Sequence, residues 1–343
     1  MKIVVISTTV MNLPPPGYSG LEMLAWQQAG GLAVKGHQIL LVAPKESTPP
    51  PGVELHGTTL FESEQQAYSG YWQRLPSYDV VIDNSWEKWA YMLKAEGRLK
   101  APVLGVMHAP IHTMYATAPP VTFPCVVCIS QDQAHSASEL WHIAPRVCYN
   151  GIDPEFYKPL NPQAPRTTRY LFLGRFSSIK GPHIAIGLAR SLKFPLDMVG
   201  DDTLTAEPSY VQRIREQATA TPNVSYLGPK KRDECVWYFD RARAMIHTAM
   251  HFREPFGLAP VEAQACGCPV LTFNNGAMRE TVRHGETGFV VDTVAEMEDL
   301  IKSNAVDKIK PGKCRANALR FTIQKMVDRY EELCKEALET GGW

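Results

Sequence analysis

Short apolar runs, too brief for helices, alternate along this chain with longer segments of helical spacing, and the alternation occurs twice. In the first half the runs are residues 2–7, 38–42, 80–82, 103–106 and 126–129. Between the first two, Leu21, Leu24, Ala25, Ala29, Leu32 and Ala33 recur near helical period before Gly36 stops the helix. Residues 86–95 and 131–141 are further candidate helices. Pro145, Pro154, Pro159, Pro162 and Pro165 then crowd together with little apolar content, the composition of a linker. Beyond them the pattern restarts: strands at 170–173, 196–199, 224–227, 244–247 and 270–273, with helices over 183–192 and 260–266. Buried strands alternating with helices predict parallel sheets covered on both faces. Two such α/β domains, each Rossmann-like and doubly wound, leave a cleft where a ligand commonly binds. The boundaries fall at 1–155 and 156–321. A final helix near 323–338 is expected to pack back toward the N-terminal domain.

Bulk properties narrow the class. A chain of 343 residues suggests about two domains at roughly 150 residues each. Lysine plus arginine and aspartate plus glutamate both total 35, so no basic excess marks a nucleic-acid binder. No apolar stretch approaches the roughly 20 residues of a membrane span. The apolar run Ile3-Val4-Val5-Ile6 is too short for a signal peptide. Eight cysteines without dense spacing read as reduced thiols, hence a cytoplasmic protein.

Three segments carry candidate chemistry. Gly17-Tyr18-Ser19-Gly20 follows a strand and opens a helix, where a backbone can approach an anion. It is not the dinucleotide fingerprint, and Ala43-Pro44-Lys45 offers no acidic ribose partner; read alone, it is more simply a tight turn. Gly174-Arg175-Phe176-Ser177-Ser178-Ile179-Lys180-Gly181 puts two cations at a strand's C-terminal end, where open α/β sheets hold ligands. The pairing of a rigid fork with a point charge suits a diphosphate, and a solvated loop is the plain alternative. Glu254 and Glu262 flank a Gly-containing loop and a helix start near Pro260. These carboxylates could take hydroxyl hydrogens, or Glu262 could simply complement the helix dipole.

Together the segments resemble the retaining, nucleotide-sugar-dependent glycosyltransferases of the GT-B fold, specifically glycosyltransferase family 4. The glycine loop is matched by residues 18–22, with Ser19 where a second glycine is commoner. Gly36-His37, His108, Asn150-Gly151-Ile152-Asp153, the pair Arg175 and Lys180, the Glu254 to Glu262 element, Gly276 with Glu280, and Gly285 with Thr287-Gly288-Phe289 follow in the family's order. The resemblance implies a hexosyltransferase whose catalytic set is His108, Arg175, Lys180 and Glu254. Arg175 and Lys180 would stabilise the departing diphosphate. Glu254 would bind hydroxyls of the donor hexose, and Glu262 those of the ribose. Gly20, Gly174, Tyr226, Leu227, Phe256, Gly257 and Leu258 would complete the donor site. Front-side attack needs neither a side-chain nucleophile nor a metal, so no cofactor beyond the nucleotide sugar is implied.

Other signals are set aside. Cys125 and Cys128 have redox or zinc spacing but no second pair, and read as core thiols. His108 and His112 straddle Pro110, and His247 and His251 lack a third ligand. Cys266 and Cys268 read as packing. Asp83 and Trp86, at a strand end, are candidates to face a saccharide or other hydroxyl acceptor. Residues 1–150 hold nine lysines and arginines against eleven aspartates and glutamates. A basic membrane-facing excess is therefore lacking, which favours a soluble acceptor while leaving room for weak peripheral membrane contact. The donor expectation is a UDP-hexose, glucose first, in glycan or polysaccharide biosynthesis. The alternatives are a GDP-mannose-dependent mannosyltransferase and a catalytically silent nucleotide-sugar binder. A two-domain dinucleotide oxidoreductase is disfavoured by the absent fingerprint, and an epimerase or phosphorylase of the same fold by the order of the motifs.

Overall fold

The computed structural model describes residues 1–17, 19–114, 125–200 and 207–343. It divides into two compact units, Met1–Gly151 with Ile323–Trp343, and Ile152–Thr322. The first unit carries seven parallel strands: β1 (Lys2–Ile6), β2 (Gln38–Pro44), β3 (Val53–Thr58), β4 (Val80–Asp83), β5 (Val103–Met107), β6 (Val126–Cys128) and β7 (Arg146–Val147). Their order is β3-β2-β1-β4-β5-β6-β7. The second carries six: β8 (Tyr170–Leu173), β9 (Leu196–Val199), β10 (Val224–Gly228), β11 (Met245–His247), β12 (Val270–Phe273) and β13 (Gly288–Val291). Their order is β10-β9-β8-β11-β12-β13, again parallel throughout. Each sheet reverses strand order beside its first strand, between β1 and β4 and between β8 and β11. Doubly wound sheets bind ligands beyond the strand ends at such points.

The apolar strand runs demanded this arrangement. Val4, Leu40 and Val81 are fully buried on one face of adjacent central strands, and their neighbours Val5, Leu41 and Ile82 on the other, so both faces of the sheet are covered. In the second unit Phe172, Met198, Ile246 and Leu271 join Ile186, Ala189 and Ile214 from the covering helices in one core.

The final helix, Ile323–Thr340, belongs to the first unit. It buries Met326, Val327, Tyr330, Leu333, Cys334 and Ala337 on one stripe. Val327 lies against Gly31 of the helix Gly20–Val34, so close that a Cβ there would come within 2.4 Å of it. Ion pairs fasten the same seam: Lys35 to Asp328 at 2.6 Å and to Glu331 at 3.0 Å, and Arg146 to Glu336 at 2.6 Å.

The proline-rich stretch is not a free linker. Arg166 donates to the carbonyls of Phe239, Asp240, Ala242 and Cys266, and Arg315 to those of Pro154, Tyr157 and Ala265. Arg315 thus satisfies two carbonyls of the stretch itself, and Arg166 at its end ties it to carbonyls at the ends of two helices. Strand β3 and the helices Glu64–Tyr71, Pro208–Thr219 and Arg232–Arg241 are further elements that apolar periodicity left unread. No helix is long and apolar enough to cross a membrane among the described residues.

Candidate functional site

In the second unit, the loops beyond β8 and β11 meet at the switch point. Lys180 closes the short turn Ser178–Lys180 and its Nζ lies 2.5 Å from Oε2 of Glu254. His247, the last residue of β11, brings Nε2 within 3.3 Å of the same oxygen, while its Nδ1 meets Thr272 Oγ1 at 3.1 Å. Glu254 is 7% exposed. Burial alone would raise its carboxyl, but the Lys180 ammonium and His247 outweigh it and hold the group at about 2. The constellation is a buried carboxylate with two partners from separate strand ends.

Backbone geometry keeps it there. Gly181 has φ +67°, and a Cβ on it would stand 2.2 Å from the carbonyl oxygen of Thr248. Thr248 Oγ1 in turn donates to the Gly181 carbonyl at 2.8 Å. Gly276, at φ +65°, packs so closely on Glu254 that a Cβ would lie 2.2 Å from its carbonyl oxygen. Only glycine tolerates both the left-handed conformation and that approach.

The remaining expected residues fall around this pair. Arg175 is exposed beside it in sequence, and Gly174 ends the strand with its N–H on the Val199 carbonyl at 3.1 Å. Gly200 and Gly228 end the two neighbouring strands, hydrogen-bonded to each other at 3.1 Å, so three glycines strip side chains from this rim. Gly257 caps the helix Leu258–Ala265, whose first turn follows the buried Phe256. Glu262, 5% exposed, accepts a hydrogen bond from the Tyr157 hydroxyl, which also receives Arg232 at 3.1 Å. Tyr226 packs its ring 5.3 Å from Phe176, and its hydroxyl accepts from Arg215 at 3.1 Å; Leu227 sits at the bulge of β10.

The first unit presents its own strand ends. Gly20 begins its helix, and Ser19 donates to the buried Glu22, which also accepts from Thr8 at 2.7 Å. The serine that departs from the glycine pattern is thereby a structural donor. Tyr18 lies outside the described residues. His108 follows β5, half-buried, with Nε2 2.9 Å from Asn84 Oδ1. Burial, and then the charge of Lys88, push its imidazole down to about 3. Asp83 is fully buried and accepts from the amide and hydroxyl of Ser85 at 2.9 and 2.5 Å. It holds the turn after β4 and offers no exposed carboxylate, a correction to its placement as an acceptor-facing residue. An aspartate ending a buried strand is held by the turn it closes. Trp86, by contrast, is 38% exposed, with its amide on Glu64 at 2.8 Å.

All eight cysteines are buried and unbridged. Burial raises the Cys125 thiol to about 11. Among the described residues no cluster of three or more histidines, cysteines and acids is placed to hold a metal.

Residues 155–320 match the family model described as "Glycosyl transferases group 1". This segment contains the Lys180, His247, Glu254 and Glu262 constellation. In sequence, the D-inositol 3-phosphate glycosyltransferase of Mycobacterium sp. (strain JLS) is 30% identical over 157 residues, 43% of this chain and 35% of the relative. The alignment thus spans about a third of the length of the curated relatives. In structure, a sucrose-phosphate synthase from Thermosynechococcus elongatus superimposes with TM-score 0.81 at 17% identity, covering 99% of each chain. Anabaena HepE, solved with UDP and glucose, gives 0.77 at 20% identity, covering 98% of this chain and 99% of that one. The fold is GT-B.

Within residues 155–320, sequence reading missed three contributors. His247 had been weighed only as half of a metal pair, and its place at the end of a strand was the available signal. Gly200 was legible as a glycine after an apolar run. Tyr157, buried under Glu262, carried no signal, because its partner comes from a distant part of the chain.

Proposed function

We propose that this protein is a retaining hexosyltransferase that moves a sugar from a nucleotide sugar, UDP-glucose the favoured donor, to an acceptor hydroxyl. The observation that carries the reading is the Lys180–Glu254–His247 constellation at the switch point of the segment that matches the group 1 glycosyl transferase model. Supporting it, HepE was solved with UDP-glucose and with UDP. The acceptor is a saccharide or another hydroxyl compound, met in the cytoplasm during glycan or polysaccharide assembly.

Arg175 and Lys180 neutralise the diphosphate as its bond to the anomeric carbon breaks. The acceptor oxygen bonds to that carbon on the face the diphosphate leaves, and its proton passes to the departing phosphate oxygen. Atoms and charge balance without a metal. Glu254, ionised at neutral pH, accepts hydrogen bonds from hexose hydroxyls while its partners hold its orientation. Glu262 takes the ribose hydroxyls. The N–H groups at Gly257 and Leu258 face the donor at a helix N-terminus, Gly174 gives the phosphates close backbone approach, and the strand end at Tyr226 and Leu227 lies along the base.

A donor screen tests this. The purified chain, with chelator present, is melted against UDP-, GDP- and ADP-sugars and assayed for nucleotide release. A ligand at a hundred times its dissociation constant stabilises by about 2.7 kcal/mol, so one donor should raise the melting temperature and release nucleotide slowly. Stabilisation by a GDP-sugar alone would replace the donor assignment. A melting curve unmoved by every nucleotide would sink the transferase reading.

A further inference from the structure

His108 is the end of a chain of hydrogen bonds that begins in the C-terminal helix. Its Nε2 lies 2.9 Å from Asn84 Oδ1, and Asn84 Nδ2 donates to Gln28 Oε1 at 2.9 Å. Gln28, 2% exposed on the helix Gly20–Val34, donates onward to the Tyr330 hydroxyl. That hydroxyl bonds to Cys148, whose Sγ donates to the Met326 carbonyl at 3.5 Å. Met326 and Tyr330 are both on Ile323–Thr340. A backbone carbonyl can only accept, so it sets the direction of every link behind it. Cys148 gives its hydrogen to the carbonyl, Tyr330 to the sulfur, Gln28 to the phenol and Asn84 to the Gln28 oxygen. Asn84 is left with an oxygen toward the imidazole, which must supply the hydrogen at Nε2.

We infer that Asn84 and Gln28 are positioning residues that hold His108 in the Nε2–H tautomer, leaving Nδ1 as a hydrogen-bond acceptor for a ligand hydroxyl. The inference rests on the transferase reading only for what the ligand is, a sugar hydroxyl. It decides between two roles open to a histidine beside a sugar, orienting a hydroxyl and stabilising charge. An imidazole whose outward nitrogen is a lone pair orients a hydroxyl and contributes no cation. The charged group that bears on the ring is Lys88, buried at the start of the helix Trp89–Ala95 and itself balanced by Asp83 and Glu64.

Nitrogen-resolved NMR of the 15N-histidine-labelled full chain reads the tautomer directly. The His108 signals are assigned by their loss in His108→Gln. At pH 7 the expected pattern is a protonated Nε2 and an unprotonated Nδ1 in a single population. A protonated Nδ1, or an imidazolium, overturns the inference. Gln28→Met touches nothing on His108, yet should let Asn84 turn and bring in the second tautomer; an unchanged single tautomer counts against the chain. Asn84→Asp should raise the titration of His108 by about 1–3 units, and no rise in a folded variant also counts against it. With UDP-glucose as probe, Gln28→Met should lower kcat by about tenfold while the donor KM stays within about twofold, because geometry and not donor binding is lost. If the NMR pattern holds while no nucleotide sugar binds, the transferase reading falls and the positioning chain stands.

Discussion

Two side chains in this protein owe their charge state to neighbours that sequence spacing does not display. Glu254 is held at about 2 by Lys180 and His247 against its own burial. Its folded value lies below the ordinary 4.5, so the pairing stabilises the fold above pH 4.5 and that contribution is lost as pH falls toward 2. Lys180→Met removes one partner of a buried carboxylate, and we expect it to cost about 3 kcal/mol of stability and to abolish the thermal shift with the donor. A variant melting with the wild type and still shifted by donor would refute the assignment. His108 is held neutral where Glu254 is held charged. Held at about 3 against an ordinary 6.5, it refuses a proton that the unfolded chain accepts. Stability is therefore lost as pH falls below 6.5, by about 1.4 kcal/mol per unit. Urea unfolding at pH 7 and pH 5 should show a loss smaller by about 2 kcal/mol in His108→Gln than in the wild type; equal losses would mean that the imidazole is protonated in the fold. The motif order marked both residues in the sequence, but their ionisation became readable only once Lys88, His247 and Lys180 had coordinates.

At the scale of the element, legibility followed burial. Strands covered on both faces, such as β1, β4, β5 and β8, are unbroken apolar runs and stand out in the sequence. Strand β3 does not, because Val53–Thr58 is an edge strand with Glu54, His56 and Gly57 inside it. The helix Pro208–Thr219 buries only Val211, Ile214 and Ala218, a stripe too thin to dominate a window rich in charge. The helix expected over 86–95 begins only at Trp89, since Lys88 before it is left-handed at φ 57°. Turns around the site carry their own requirement. Gly276→Ala would force a Cβ against the Glu254 backbone at a positive φ, and we expect about 1–3 kcal/mol of destabilisation together with weaker donor binding. Differential scanning calorimetry with and without UDP-glucose measures both, and a variant matching the wild type in each would show that the loop yields freely.

For the molecule as a whole, each unit has a core of its own, and the chain enters the first unit twice. The helix Ile323–Thr340 covers the first unit with an apolar stripe and three ion pairs to Asp328, Glu331 and Glu336. Ending the chain after Thr322 should leave that face bare. We expect dye binding to exposed apolar surface, faster hydrogen exchange in the helix Gly20–Val34, and a lower melting temperature for the first unit, with residues 152–322 little changed. Uniform loss of protection in both units would show instead that the two fold as one cooperative body. Loss of this helix also removes Tyr330 and the carbonyl of Met326, so the tautomer of His108 should relax in the same truncation.

What the amino-acid sequence determined by itself was the layered α/β architecture and the identity of the residues at the strand ends. Both follow from patterns local to the chain: apolar runs that must be buried on both faces, and glycines, cations and carboxylates at the turns that end them. What only the tertiary structure decided is which of those side chains act on one another. Lys180 meets Glu254 across 74 positions, Asn84 meets Gln28 across 56, and Arg146 meets Glu336 across 190. The reason is physical. Ionisation, tautomer and orientation depend on distances of a few ångströms and on exclusion of water, and a doubly wound sheet creates those distances between strands that lie far apart in the sequence.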